Sequence, residues 1–78
     1  MWERSEKVEF SYNKLRGRIV EKYGTMTSFA ESFGISNNSL SLKLNNKTNF
    51  SVDDILKICE MLEISSDSIP EYFFVQKV

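Results

Sequence analysis

Few side chains in this sequence could carry catalytic chemistry. The 78 residues include no histidine and a single cysteine, Cys59. Histidine acid–base catalysis, a histidine metal site and a zinc site built from several thiolates are therefore excluded. Cys59 falls on an apolar helical stripe, where a free cysteine usually serves as a small hydrophobe. Asp53 and Asp54 stand at a predicted helix start, where the helix dipole favours carboxylates. We expect no enzymatic activity, no metal and no cofactor.

A different set of polar side chains could recognise hydrogen-bonding groups on a partner. The segment 36–45 reads SNNSLSLKLN, an unusual choice for a helix because Asn and Ser are mediocre helix formers. If Leu40 faces the core, about 100° per residue turns several side chains outward. They are Asn38, Ser41, Leu42 and Asn45. Asn can pair with adenine, Ser can donate or accept, and Leu can touch a thymine methyl group. A solvated helix face with capping residues explains the same composition, so the segment alone leaves both interpretations open.

Three short helices are predicted to position this segment. Apolar residues recur at helical spacing from Tyr12 to Tyr23, with Ser11 as the predicted N-cap and Gly24 as the stop. Thr25 is predicted to cap a second helix over 26–33, which Gly34 ends by taking a positive φ. Ser36 then caps the third helix, whose buried edge is formed by Leu40 and Leu44.

The second half of the chain is also predicted to form short helices. Ser51 and Asp54 approximate a capping box for a fourth helix, whose apolar face runs from Ile55 to Leu62. A short helical turn is predicted to start at Ser66 or Asp67, with Pro70 near its end. The apolar residues 72–75 could form a strand or fold over the helices. The expected fold class is all-α, with four or five short helices.

The chain is short enough to be one small domain. We divide it into an N-terminal arm (1–11), a helical domain (12–71) and a C-terminal apolar tail (72–78). The single cysteine allows no internal disulfide, which favours a reducing compartment. The charged N-terminus does not have the form of a secretory signal, and no apolar run reaches transmembrane length. We therefore expect a cytoplasmic protein.

Charge is distributed unevenly along the chain. The net charge is −1, which by itself argues against a nucleic-acid partner. Residues 12–50 nevertheless hold six Lys or Arg against two acids, whereas the remaining residues hold four against nine. This asymmetry is compatible with one basic and one acidic face, and equally with an ordinary solvated surface.

The central segment resembles a known family of regulators. The residues TSFAESFGISNNSLSLKLNNKT resemble the helix-turn-helix of the phage Cro and repressor family, also called lambda-repressor-like or XRE-type. Ala30 is small where two helices approach, Gly34, Ile35 and Ser36 form the turn and the next cap, and Leu40 faces inward. The resemblance extends over about residues 12–74 and is greatest to small Cro-like regulators of phages and prophages of Gram-positive bacteria.

The resemblance implies a lambda-repressor-like DNA-binding domain that reads a pseudo-palindromic operator with the helix 36–45. The positions that would face bases are Asn37, Asn38, Ser41 and Leu42. The positions that would contact the DNA backbone are Thr27, Ser28, Ser39, Lys43, Lys47, Thr48 and Asn49. The family usually binds as a homodimer, for which the aromatic tail residues Tyr72, Phe73 and Phe74 are candidate contacts. Bound to operator DNA, such a protein would be nucleoid-associated.

Two functions from different classes follow from these observations. The main hypothesis is a sequence-specific DNA-binding transcriptional regulator, a Cro-like phage or prophage repressor. The alternative keeps the helix-turn-helix fold without DNA binding and makes the chain a protein-interaction module for a repressor or another phage factor. The negative net charge and the apolar tail favour the alternative.

Overall fold

The computed structural model describes residues 9–77. That range contains five α-helices: α1 (Asn13–Tyr23), α2 (Met26–Phe33), α3 (Asn37–Leu44), α4 (Val52–Leu62) and α5 (Ile69–Phe73). A single 3-10 turn, Ser66–Ser68, leads into α5. The predicted all-α fold class is confirmed. The first eight residues of the predicted arm and the last residue of the tail lie outside the described residues.

Helix ends in the central segment follow the capping chemistry predicted from the sequence. The Thr25 side chain accepts a hydrogen bond from the Ser28 backbone N–H, and Ser36 accepts one from Ser39, both at 3.0 Å. Gly34 ends α2 in the left-handed region, with φ of 99°. Ser51 and Asp54 form a complete capping box at the start of α4. Each cap satisfies backbone groups that a helix end leaves unpaired.

Two predicted helix ends are wrong. Ser11 is not the N-cap of α1. Its backbone N–H instead donates to the Val75 carbonyl oxygen at 2.7 Å. Tyr12 takes the N-cap position without a side-chain hydrogen bond. Pro70 lies in the first turn of α5 rather than near its end, where its missing N–H has no intrahelical partner to lose. The predicted start of the tail at residue 72 consequently falls inside α5.

The core forms around α1, which packs against α2, α4 and α5, while α2 also packs against α3. Leu15 and Ile19 of α1 are completely buried. The full set of buried apolar residues in the described range is Tyr12, Leu15, Ile19, Phe29, Ala30, Phe33, Leu40, Leu44, Ile58, Cys59, Leu62, Ile64 and Phe73. Cys59 therefore has the structural role that its position on an apolar stripe predicts. Ala30 is 1% exposed, as expected where two helices meet closely.

The chain segments before α1 and after α5 are joined to each other. Phe10 and Gln76 form an isolated antiparallel bridge, and the Lys77 backbone N–H donates to the Glu9 carbonyl oxygen at 2.8 Å. The Asn46 side chain holds this junction from the loop after α3. It accepts from the Phe10 N–H and donates to the Phe10 carbonyl oxygen, each at 2.9 Å. The tail thus combines both open alternatives, with strand-like pairing at Gln76 and helix packing before it.

Asn46 should be important for stability because it provides two hydrogen bonds from a left-handed backbone position, with φ of 64°. We expect Asn46→Gly to lower the free energy of unfolding by about 1–2 kcal/mol, through loss of both partly buried hydrogen bonds. Asn46→Ala should lower it by about 1 kcal/mol more, since alanine is strained at positive φ. Urea denaturation measures both values. Unchanged stability of Asn46→Gly would show that the amide contributes nothing.

Candidate functional site

The exposed side of α3 carries the residues predicted to face a partner. Asn37, Asn38 and Ser41 are exposed, and Leu42 is 37% exposed. Leu40 and Leu44 are buried on the opposite side. The structure therefore brings the four predicted base-contacting side chains onto one accessible helix face.

The residues predicted to contact a DNA backbone divide into two groups. Ser28 and Ser39 lie in the first turns of α2 and α3, where their backbone N–H groups and hydroxyls are hydrogen-bonded to the N-cap residues Thr25 and Ser36. Lys43 turns toward α4, with Nζ 3.2 Å from the Asn49 carbonyl oxygen and 3.3 Å from Asp54 Oδ2. The other predicted positions remain exposed: Thr27, Lys47, Thr48 and Asn49.

Both arginines of α1 cap the C-terminal ends of other helices. Arg16 Nη2 donates to the Leu44 carbonyl oxygen at the end of α3, at 3.3 Å, and to Asn45 Oδ1 at 3.0 Å. Arg18 Nε donates to the Leu62 carbonyl oxygen at the end of α4, at 2.9 Å. Carbonyl groups at a helix C-terminus lack intrahelical partners and carry partial negative charge. The two guanidinium groups therefore stabilise helix ends of the same chain.

The lysines of α1 pair with carboxylates of the same chain. Lys14 pairs with Glu71 of α5, and Lys22 pairs with Glu63 at 3.0 Å. The Lys22 hydrogen bond and charge hold the pKa of Glu63 below its usual range. Five of the six Lys and Arg residues in 12–50 thus contact acceptors within the chain, and Lys47 is the exception among them. A phosphate-binding surface needs cations that are free to displace counterions.

The Arg18 contact can be tested through stability. We expect Arg18→Met to lower the free energy of unfolding by about 1–3 kcal/mol, because the Leu62 carbonyl loses a charged donor. Lys47→Met removes one cation from an exposed loop position and should change stability by no more than about 0.5 kcal/mol. Thermal and urea denaturation would compare the two variants. Equal stability of the two would contradict a capping role for Arg18.

Asp54 joins the start of α4 to α3. Burial alone would raise the pKa of this carboxyl group, but hydrogen bonds from the Ser51 backbone and from Lys43 outweigh it and hold the pKa below its usual range. A carboxyl group with a lowered folded-state pKa stabilises the fold above its unfolded pKa. That stabilisation is lost as the pH falls through the folded-state value.

Asp54→Asn should therefore destabilise the protein at neutral pH and matter less in acid. The difference in unfolding free energy from the wild type should be constant above about pH 5 and shrink below about pH 4. Asp53→Asn is the matched control, since Asp53 shares the first turn of α4 but forms no ion pair with any described residue. A pH-independent difference for Asp54→Asn would contradict the assignment.

A second exposed surface lies on α4 and was not identified from the sequence. Val52, Leu56 and Glu60 recur at four-residue spacing, so they line one side of the helix, with Asp53 beside them. We call these four residues the α4 stripe. Val52 is 72% and Leu56 57% exposed, the two highest values among the large apolar residues of the described chain. The four-residue spacing of Val52, Leu56 and Glu60 is a signal present in the sequence, on a different side of α4 from the buried residues between Ile55 and Leu62.

Other kinds of site find no support in the described part of the chain. Residues 9–77 contain no group of three or more His, Cys, Asp or Glu side chains that could hold a metal ion. Over the same range, every helix is too short or too polar to cross a membrane.

Comparison with known proteins gives the family. The family described as "Protein of unknown function (DUF739)" matches residues 8–76. The chain belongs to the DUF739 family. This DUF739 protein is also similar to a solved structure, the modulator of repression (MOR) of the temperate bacteriophage TP901-1 from Lactococcus lactis. The two chains are 45% identical, the match covers 83% of this chain and 88% of the other, and the TM-score is 0.76. The comparison with curated proteins finds no match.

These findings correct the predicted family and function. The expected membership of the Cro and repressor family is wrong, and so is the main hypothesis of a DNA-binding repressor, because the similar structure is a modulator of repression. The predicted partner, operator DNA, is wrong for the same reason. The physical reason lies in the basic segment of this DUF739 protein, whose cations cap helices and pair with acids instead of facing outward.

The predicted dimer contact is corrected as well. Phe73 is 1% exposed and belongs to the core. Lys14 lies over the Tyr72 ring, 5.1 Å from its centroid, and Phe74 packs edge-to-face on Phe10 at 5.8 Å. Phe73 is therefore not available to a dimer partner, whereas Tyr72 is half-buried and Phe74 remains 52% exposed.

Proposed function

We propose that this chain is a protein-interaction module that binds a repressor protein and thereby modulates repression. The observation that carries the proposal is the 45% identity, over 83% of the chain, to a protein named as a phage modulator of repression. The module acts in the bacterial cytoplasm, where repressors act, and catalyses no reaction.

The charge distribution supports a protein partner. The net charge of −1 provides no long-range attraction for DNA. The cations of α1 and α3 are hydrogen-bonded or paired within the chain, so few remain to meet phosphates. The exposed α3 face offers neutral Asn and Ser side chains together with Leu42. These neutral side chains carry no positive charge for phosphates, so the face does not favour a DNA partner.

Direct binding tests the proposal. The chain would be titrated into the repressor protein encoded in the same genome, using isothermal titration calorimetry, with a repressor from an unrelated phage as the control. We expect saturable binding to the cognate repressor at about micromolar affinity or tighter, and none to the control. The chain alone should not shift a duplex that contains the repressor's operator. Absence of binding to the cognate repressor would contradict the proposal.

A reporter assay separates modulation from independent regulation. The promoter controlled by the repressor would drive a reporter gene, with the repressor and the chain expressed separately and together. We expect the chain to change expression only when the repressor is present, because its effect passes through that protein. A change in the absence of the repressor would contradict the proposal.

A further inference from the structure

The α4 stripe has features that the fold does not require. Val52 occupies the first position of α4, where its side chain is 72% exposed. Both Val52 and Leu56 remain more than half exposed one helical turn apart. Val52 and Leu56 thus form a small exposed apolar surface, which the acids Asp53 and Glu60 flank. Burial within the described chain does not explain either residue.

The negative charge of Glu60 is unfavourable for the dipole of α4. It lies in the last turn of α4, where a helix favours cations, and that turn contains no basic residue. Glu63, at the C-cap, is compensated by Lys22 at 3.0 Å. Glu60 forms no ion pair with any residue in the range 9–77. Its charge therefore slightly weakens the helix and remains available to a partner.

The one lysine of α4 does not neutralise this surface. Lys57 stands four residues after Asp53 and three before Glu60, where a helix would allow it to pair with either. Its Nζ instead donates to the Phe33 carbonyl oxygen at the end of α2, at 2.8 Å, and lies 4.7 Å from the centroid of the Phe33 ring. The two carboxylates of the α4 stripe thus keep their charge beside two exposed apolar side chains.

We propose that the α4 stripe is the surface that docks the repressor, against a patch of that protein with an apolar centre and a lysine- or arginine-rich rim. The inference rests on the proposed function and adds the surface and the chemistry of the partner. Charge complementarity favours a basic partner, since a protein that binds DNA phosphates carries surplus cations. A second copy of this chain is disfavoured, because it would bring Asp53 and Glu60 against like charges.

Two substitutions test the apolar and the charged parts separately. Leu56→Ser should weaken binding to the cognate repressor by about tenfold or more, as expected for a central apolar contact. Glu60→Lys should weaken it by about tenfold and make the remaining affinity less dependent on salt. Because Glu60→Lys places a cation where the helix dipole favours one, lost binding cannot be attributed to a weakened helix.

Matched controls change the same chemistry elsewhere. Val20→Ser alters an apolar side chain of α1 that is 48% exposed, and Glu31→Lys reverses an exposed acid of α2 that pairs with no described residue. Both should leave the affinity within about twofold of the wild type, as is usual outside an interface. Calorimetry of all four variants against the repressor, at low and moderate salt, gives the comparison.

The outcomes separate this inference from the proposed function. If the wild type binds the repressor but Leu56→Ser and Glu60→Lys bind as well as the controls, the docking surface is elsewhere and only this inference fails. If the wild type does not bind, both fail. Sedimentation of the chain alone adds a third arm, in which wild type and Leu56→Ser should have the same mass. A self-associated wild type that Leu56→Ser dissociates would assign the stripe to a second copy and overturn the inference.

Discussion

The fold of this small domain depends on cationic side chains that complete the C-terminal ends of its helices. Arg16 donates to the end of α3, Arg18 to the end of α4, and Lys57 to the end of α2. These helices have only eight to eleven residues, so a large share of their carbonyl groups lies in unpaired terminal turns. Each cation satisfies such a carbonyl and ties two elements together. Two of the six cations in residues 12–50, Arg16 and Arg18, act in this way, and Lys57 of α4 is the third such side chain.

This use of charge explains why the sequence suggests one function and the comparisons another. The pattern of Ala30, Gly34, Ser36 and Leu40 describes how two short helices pack across a tight turn, and it does so correctly. It says nothing about which partner the outer face meets, because a fold can serve unrelated functions. DNA binding would also require outward cations, and the destination of a long side chain depends on tertiary contacts. Arg16 meets Asn45, 29 residues away, and no local pattern reveals this.

Features fixed by neighbouring residues were the most predictable. The caps at Thr25, Ser36 and Ser51 follow from side chains within three residues of the groups they satisfy. The position of Ser11 was not predictable in this way, because its backbone pairs with Val75 across the whole chain. The conformation of the tail was not predictable for the same reason, since it depends on this long-range junction. There the side chain of Asn46, a loop residue, hydrogen-bonds to the backbone of Phe10. The candidate surface on α4 could have been read from residue spacing, but exposure distinguishes it from a second buried face.

The exposed sides of α3 and α4 differ in how far the fold explains them. On α3, Ser36 caps the helix by accepting from the Ser39 N–H, and Asn45 contacts both Arg16 and Ser41, so part of its polar composition is structural. On α4, no comparable contact within the described chain involves the side chains of Val52, Leu56 or Glu60. Val52 and Leu56 are exposed apolar side chains one helical turn apart, and Glu60 is an acid in the last turn, where the helix dipole disfavours it. Natural sequences tend to break such local rules where a function requires it. The two exposed apolar side chains and the unpaired acid lie along one side of α4, and together they are more informative than any one of them alone.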